Sequence, residues 1–182
     1  MALLQARLEL ELDQALLQAW SQQQLAQVSL PLQLLRFPLG RLEQGQVRGF
    51  TLEANRLWLE LRFASGPCLQ LALQALGFLP EKQALHLRVE QLLFTGFRGA
   101  PVLNLLPGKV LAALVAQANR RLPGLLELGR NLELWLYLNP LLQKLPLSPA
   151  LQALGLVDRP RTQVERLELQ EKRLWLTLYT RV

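Results

Sequence analysis

The sequence predicts an α+β fold: a strongly curved antiparallel β-sheet of about eight strands, mostly joined as hairpins, wrapped around a central helix. Three observations predict it. Leucine alternates with polar residues over most of the chain, with a period of two. One segment, Lys109 to Leu122, instead carries apolar residues with helical spacing. The chain also repeats itself. Arg56-Leu57-Trp58-Leu59-Glu60-Leu61-Arg62 returns 117 residues later as Arg173-Leu174-Trp175-Leu176-Thr177-Leu178-Tyr179, identical at five of seven positions. Leu8-Glu9-Leu10-Glu11-Leu12 followed by Leu16-Leu17-Gln18 likewise resembles Leu132-Glu133-Leu134-Trp135-Leu136 followed by Leu141-Leu142-Gln143. A strand, a short helix and a hairpin thus recur in order, in units spanning about 8–63 and 132–180 of one 182-residue domain.

The elements follow in order. Leu8, Leu10 and Leu12 face one way on a strand over 6–12, with Glu9 and Glu11 opposite. Asp13 stands as N-cap of a helix whose Leu16, Leu17 and Trp20 share a face. Residues 27–39 are ambiguous, and Pro31 and Pro38 exclude a central strand there. A hairpin spans 46–54 and 56–63, turning at Ala54-Asn55, because Asn tolerates positive φ. After the Gly66-Pro67 turn, strands at 68–76 and 84–94 are joined through Pro80-Glu81-Lys82. Pro107-Gly108 opens the best helix, whose stripe is Val110, Leu111, Leu114, Val115 and Ala118. Arg120-Arg121 complement its dipole and Pro123-Gly124 end it. Residues 131–138 alternate perfectly. Asn139-Pro140 then reads as N-cap and first turn of a short helix through Leu145, with a further single turn near Ser148 to Leu154. Strands at 163–170 and 173–180 close the chain as a hairpin.

Composition narrows the function classes. The chain has 52 leucines and no isoleucine, so leucine fills strand positions that Ile and Val would take, and periodicity outranks propensity as a guide. The net charge of +6 admits an anionic partner, but no dense basic cluster exists beyond Arg120-Arg121 and the Arg159/Arg161 pair. Nucleic acid is therefore disfavoured as a partner, and peripheral contact with a membrane surface stays open. Cys68 is the single cysteine, so no intrachain disulfide forms. No apolar run reaches the length of a membrane-spanning helix, and the N-terminus shows no signal-peptide pattern. As it stands, the sequence predicts a cytoplasmic protein; a chain trimmed from a longer precursor would be envelope-associated.

The residues that catalysis needs are sparse. His86 is the only histidine, set on the polar side of its strand, and neither Asp13 nor Asp158 has motif context for a triad. Phosphate-binding and nucleophile-elbow motifs are missing. One Cys and one His do not supply a zinc site. The expectation is a non-enzyme with no catalytic residue, cofactor or metal. Cys68 reads as a small apolar filler, and Glu9, Glu11, Glu60, Glu90 and Glu133 as solvated positions on polar strand faces.

The polar faces carry an unusual load of aromatics: Trp58 and its repeat counterpart Trp175, Trp135, Tyr137 and Tyr179. Such residues suit interfaces, and they also suit plain cross-strand pairing. They are the candidate interface for a partner or a second copy of the chain.

The run Asn104-Leu105-Leu106-Pro107, an apolar helix, Leu122-Pro123, an alternating strand, Asn139-Pro140-Leu141-Leu142 and a closing leucine hairpin resembles bacterial domains of the tubular lipid-binding superfamily, relatives of the bactericidal/permeability-increasing protein fold. The likeness covers most of the chain and is clearest from residue 98 onward. It implies a curved sheet around a helix enclosing an apolar channel, and lipid binding or transfer in place of catalysis. It carries over no functional residue. Alternation alone nominates the candidate groove lining: Val110, Leu111, Leu114 and Val115 on the helix, with Leu57, Leu59, Leu61, Leu174, Leu176 and Leu178 on the repeated strands. The same residues would equally fill a solid core. The expected function is binding of a lipid or other long apolar ligand between sheet and helix; the alternative is an assembly module, such as a homodimer, using the aromatic face.

Overall fold

The computed structural model describes residues 5–34, 37–142 and 162–181. In chain order they form β1 (Gln5–Asp13), α1 (Gln14–Leu25), β2 (Ser29–Leu34), β3 (Phe37–Glu43), β4 (Gly45–Glu53), β5 (Arg56–Phe63), β6 (Cys68–Leu79), β7 (Ala84–Thr95), α2 (Ala100–Asn104), α3 (Pro107–Arg121), β8 (Leu126–Leu128), β9 (Glu133–Tyr137), α4 (Leu138–Leu142), β10 (Thr162–Gln170) and β11 (Arg173–Arg181). The fold is α+β and its strands pair antiparallel. One sheet runs β4-β5-β6-β7-β9-β8, a second runs β1-β11-β10, and β2 pairs only with β3.

Most elements lie where the sequence places them. Asp13 caps α1 through a bond from the Leu16 N–H to Oδ1 at 2.7 Å. The helix continues past Trp20 to Leu25. Pro31 and Pro38 sit in the two-stranded β2–β3 ribbon, outside both larger sheets, where a missing N–H costs least. Three differences stand out. Among the described residues there are eleven strands, more than the expected eight, because β2, β3 and the three-residue β8 add to the count. Helix α2 precedes α3 and was not anticipated. Helix α4 starts at Leu138, so Asn139 lies within it and does not cap it. The expected turn at Ser148 to Leu154 lies outside the described residues.

The repeat has a geometric counterpart. The turns of the β4–β5 and β10–β11 hairpins meet. The Asn55 N–H donates to the Leu169 carbonyl at 3.3 Å, and the Lys172 N–H donates to the Leu52 carbonyl at 3.0 Å. Asn55 and Lys172 correspond across the repeat, as do Leu52 and Leu169, so each bond maps onto the other. Both turn residues take the same left-handed conformation, with φ of 60°. The contact has the reciprocity of a two-fold interface, built inside one chain.

Leucines turned inward from both sheets form one core. Leu73, Leu85, Leu87 and Leu134 of the larger sheet meet Leu12, Val164, Leu167, Leu176 and Leu178 of the smaller one, together with Leu111 and Val115 of α3. A second cluster gathers Leu42, Leu61, Phe63, Leu69, Phe94, Ala100, Leu103 and Val110. Helix α3 serves both clusters. Its i, i+4 pair Leu111/Val115 enters the first, and the adjacent Val110/Leu114 pair enters the second.

Candidate functional site

The inner faces are the first candidate. Of the nominated groove residues, Leu111, Val115, Leu176 and Leu178 are buried in the main cluster, with Leu57 and Leu174 half-buried against it. Leu61 and Val110 are buried in the second cluster, with Leu114 against it, and Leu59 is half-buried on β5. The structure thus divides nine of these ten residues between two cores and leaves Leu59 outside both. In the main cluster, thirteen buried residues are flanked by fourteen that keep partial access to solvent. Half-buried leucines therefore fringe the leucine surface shared by the sheets.

The outer face of the larger sheet is the second. The Trp58 ring lies over Gly49 on the neighbouring strand, where a Cβ would come within 2.3 Å of Cζ3. Trp135 covers Gly129 in the same way, at 2.2 Å. Glycine at these two positions makes room for an indole on the strand surface. Trp135 also stacks on His86, with centroids 4.9 Å apart and planes within 4°. Tyr137 donates its hydroxyl to the Glu127 carboxylate. That bond favours the protonated phenol and, with burial and the nearby charge, holds its pKa above the ordinary tyrosine value. These aromatics already have partners within the chain, so much of the apparent interface is cross-strand packing. Trp175 differs: its buried Nε1 has no hydrogen-bond partner among the described residues. Tyr179 is half-buried on the same face of β11.

His86 is half-buried and belongs to a small polar cluster. Its Nε2 lies 3.1 Å from Glu133 Oε2, and Arg88 donates to Glu133 Oε1 at 3.1 Å. Hydrogen bonds from Arg88 and then His86 hold the Glu133 carboxyl below its usual range. Glu133 is thus held by two partners, beyond the solvated position expected of it. Arg56 pairs with Glu90 at 3.1 Å nearby. Among the described residues no set of three or more His, Cys, Asp or Glu is placed to hold a metal. Cys68 is a free thiol, half-exposed on β6 opposite Arg62 and Thr95.

Two clefts flank the joined hairpin turns. One, of about 600 Å³, is lined by Asp13, Gln14, Gln18, Glu171, Lys172 and Arg173. The other, of about 190 Å³, is bounded by Thr51, Arg56, Trp58, Leu73 and Glu90. The larger is polar-rimmed; the smaller also takes in Ala72 and Leu57, the one nominated groove residue that lines either cleft.

A set of residues that sequence reasoning missed concerns the strand edges. The Gln22 side chain accepts from the Val47 N–H at 2.6 Å and donates to the Gly45 carbonyl at 3.1 Å. Gln83 bonds both the N–H and the carbonyl of Val164, at 2.6 and 3.0 Å. Asn104 does the same for Phe94, at 2.8 and 2.9 Å, and Asn119 for Leu126, at 2.9 and 2.7 Å. A primary amide carries one acceptor and one donor, so it completes a strand edge as another strand would. A local signal existed for Asn104 and Asn119, which close loops of ten and seven residues. None existed for Gln83, which reaches a residue 81 positions away.

Comparison with protein-family models, curated proteins and solved structures finds no match to the chain. Among the described residues no helix is long and apolar enough to cross a membrane.

Proposed function

We propose that the protein is a non-enzymatic binder of a lipid or another long apolar ligand, held between the leucine faces of the two sheets and α3. In this reading the sheets form a strongly curved wrap with α3 as their central helix, as in the tubular lipid-binding superfamily. The observation that carries it is the fringe of half-buried leucines, Leu57 and Leu174 among them, around the main leucine cluster. An acyl chain entering there would exchange water for leucine, gaining about 0.8 kcal/mol per buried methylene against the cost of ordering the chain. Binding would be tolerant of ligand shape, with arginines at the mouth meeting an anionic headgroup. The assembly reading draws less support, because Trp58, Trp135 and Tyr137 already pack or bond within the chain.

The test is native mass spectrometry after mild purification, with titration of a fluorescent fatty acid. Co-purified lipid and saturable uptake, weakened by Leu57→Gln or Leu174→Gln at the half-buried rim, are expected. Absence of both would refute the reading. Dimerisation abolished by Trp175→Ala would restore the assembly alternative.

A further inference from the structure

The surface of α2 and α3 differs from the rest of the molecule in both charge and exposure. From Gln91 to Leu126 the chain contains Arg98, Lys109, Arg120 and Arg121 and no Asp or Glu, its longest stretch without a carboxylate. None of these four cations has an ion pair among the described residues; Arg120 bonds Gln117, and Arg121 donates to the Gln27 carbonyl. Elsewhere Arg7, Arg41, Arg56, Arg88, Arg166 and Arg173 each pair with a glutamate. The carboxylates next to the stretch are engaged. Glu127 accepts from Tyr137, and Glu43, reached through Ser65 and the Gly66 carbonyl beside Gly96, pairs with Arg41. The same layer holds the most exposed large apolar side chain among the described residues, Leu105 at 79%, with Val102 three residues before it at 43%. Every exposed residue between Gly96 and Gly124 is glycine, proline, apolar or basic, where a solvent-facing helix ordinarily carries charges of both signs and amides.

Ala100 and Leu103 of α2 enter the same buried cluster as Val110 of α3, so the opposite faces of both helices turn outward together. On α3 that face runs Lys109, Ala112, Ala113, Ala116 and Arg120, with nothing bulky between the two cations. We infer that the outer face of α2 and α3 is a docking surface for an anionic lipid bilayer. Leu105 and Val102 enter the boundary between headgroups and acyl chains, and Arg98, Lys109 and Arg120 lie at the level of the lipid phosphates. A protein partner would need roughly 800 Å² of matched surface. This face offers only two large apolar side chains among small residues and unneutralised cations. A bilayer needs no matched pocket, because its lipids close around an apolar tip. Docking of this kind is independent of the ligand reading, since a protein can lie on a membrane without holding a lipid inside.

The experiment floats the full chain with vesicles of phosphatidylcholine, alone or mixed with phosphatidylglycerol. Binding to the mixed vesicles is expected, weakening as salt rises, with little binding to the neutral ones. Lys109→Glu should weaken it by about fivefold or more. Lys109 lies in the first turn of α3, where a glutamate suits the helix dipole, so such a loss does not come from unfolding. Lys82→Glu makes the same change in net charge before the start of β7, whereas α2 follows that strand's far end. It should cost less than about twofold, because screening confines the attraction to nearby charges. Leu105→Gln should weaken binding by about tenfold through lost apolar burial. With Leu105→Trp, brominated acyl chains should quench emission beyond the wild-type level. Docking is overturned by no binding to mixed vesicles, by an equal loss in Lys82→Glu, or by unchanged binding in Leu105→Gln. Self-association without vesicles that Leu105→Gln abolishes would also overturn it, by making a second copy the occupant. Vesicle binding without fatty-acid uptake would leave docking standing and refute the ligand reading alone.

Discussion

Asn104 shows how much a single amide decides. It sits between the N–H and the carbonyl of Phe94, and Phe94 is 1% exposed at the centre of the second cluster. Asn104→Asp keeps the acceptor but sets a carboxylate oxygen against the Phe94 carbonyl. The expected cost at neutral pH is about 1–3 kcal/mol, measured by urea denaturation. The native environment would raise this carboxyl's pKa, so the deficit should shrink as pH falls and the group protonates. Glu133 gives the opposite sign. Arg88 and His86 depress its pKa, so its contribution is present above the ordinary carboxylate range and fades as pH falls through the lowered value. Wild type and Glu133→Gln should differ most at neutral pH and low salt, and converge under acid; a gap independent of pH would refute this. Gly129→Ala probes the stacked indole, because the new methyl meets Trp135 at 2.2 Å. A loss of about 1–3 kcal/mol with a shift in tryptophan emission is expected, reduced when Trp135→Ala is already present. Asn104 had a local signal in its ten-residue loop, whereas the roles of Glu133 and Trp135 were not legible in the sequence. Alternation places Glu133 and Trp135 on a polar face, but their partners His86 and Arg88 come from a strand more than 40 residues away.

At the scale of elements, the strands that alternate over seven or more residues were legible, and so was α3. The Asp13 cap was legible because capping is local chemistry. β8 escaped because three residues are too few to show a period, and α2 because its five residues carry only Pro101 as a start signal. β2 and β3 were obscured by their prolines. The hairpin turns allow a prediction at this scale. Asn55 and Lys172 share a φ of 60°, a region that Asn tolerates and Lys does not favour. Lys172→Asn, which copies the other half of the repeat, should raise stability by about 0.5–1 kcal/mol, and Asn55→Ala should lower it by a similar amount. The bonds at the turn are made by backbone groups, so both substitutions leave them in place. A destabilised Lys172→Asn would mean that the lysine side chain matters more than the turn.

The whole molecule depends on how the two sheets are tied together, and only part of this was legible. The repeat announces two related hairpins, and the structure brings their turns into reciprocal contact. Nothing local shows that β9 pairs with β7 while its counterpart β1 pairs with β11, since such pairings follow from burial summed over the entire leucine surface. The sheets are joined at the turns by the bonds between Leu52, Asn55, Leu169 and Lys172. At the other end of β10, Gln83 holds Val164, which is 1% exposed. Gln83 also donates to the Pro80 carbonyl at 2.7 Å, so Gln83→Ala removes three bonds and leaves both polar groups of Val164 without a partner. The expected loss is about 2–4 kcal/mol. It should be local: amide exchange should quicken around Val164 and hold near Leu169, where the turns still meet, with β5 and β6 unchanged. Uniform acceleration along the chain would show that Gln83 supports global stability and not this one junction. If a ligand enters between the sheets, Gln83→Ala should also speed fluorescent fatty-acid uptake more than it changes the amount bound. An unchanged rate, with uptake intact, would place the entrance elsewhere on the rim.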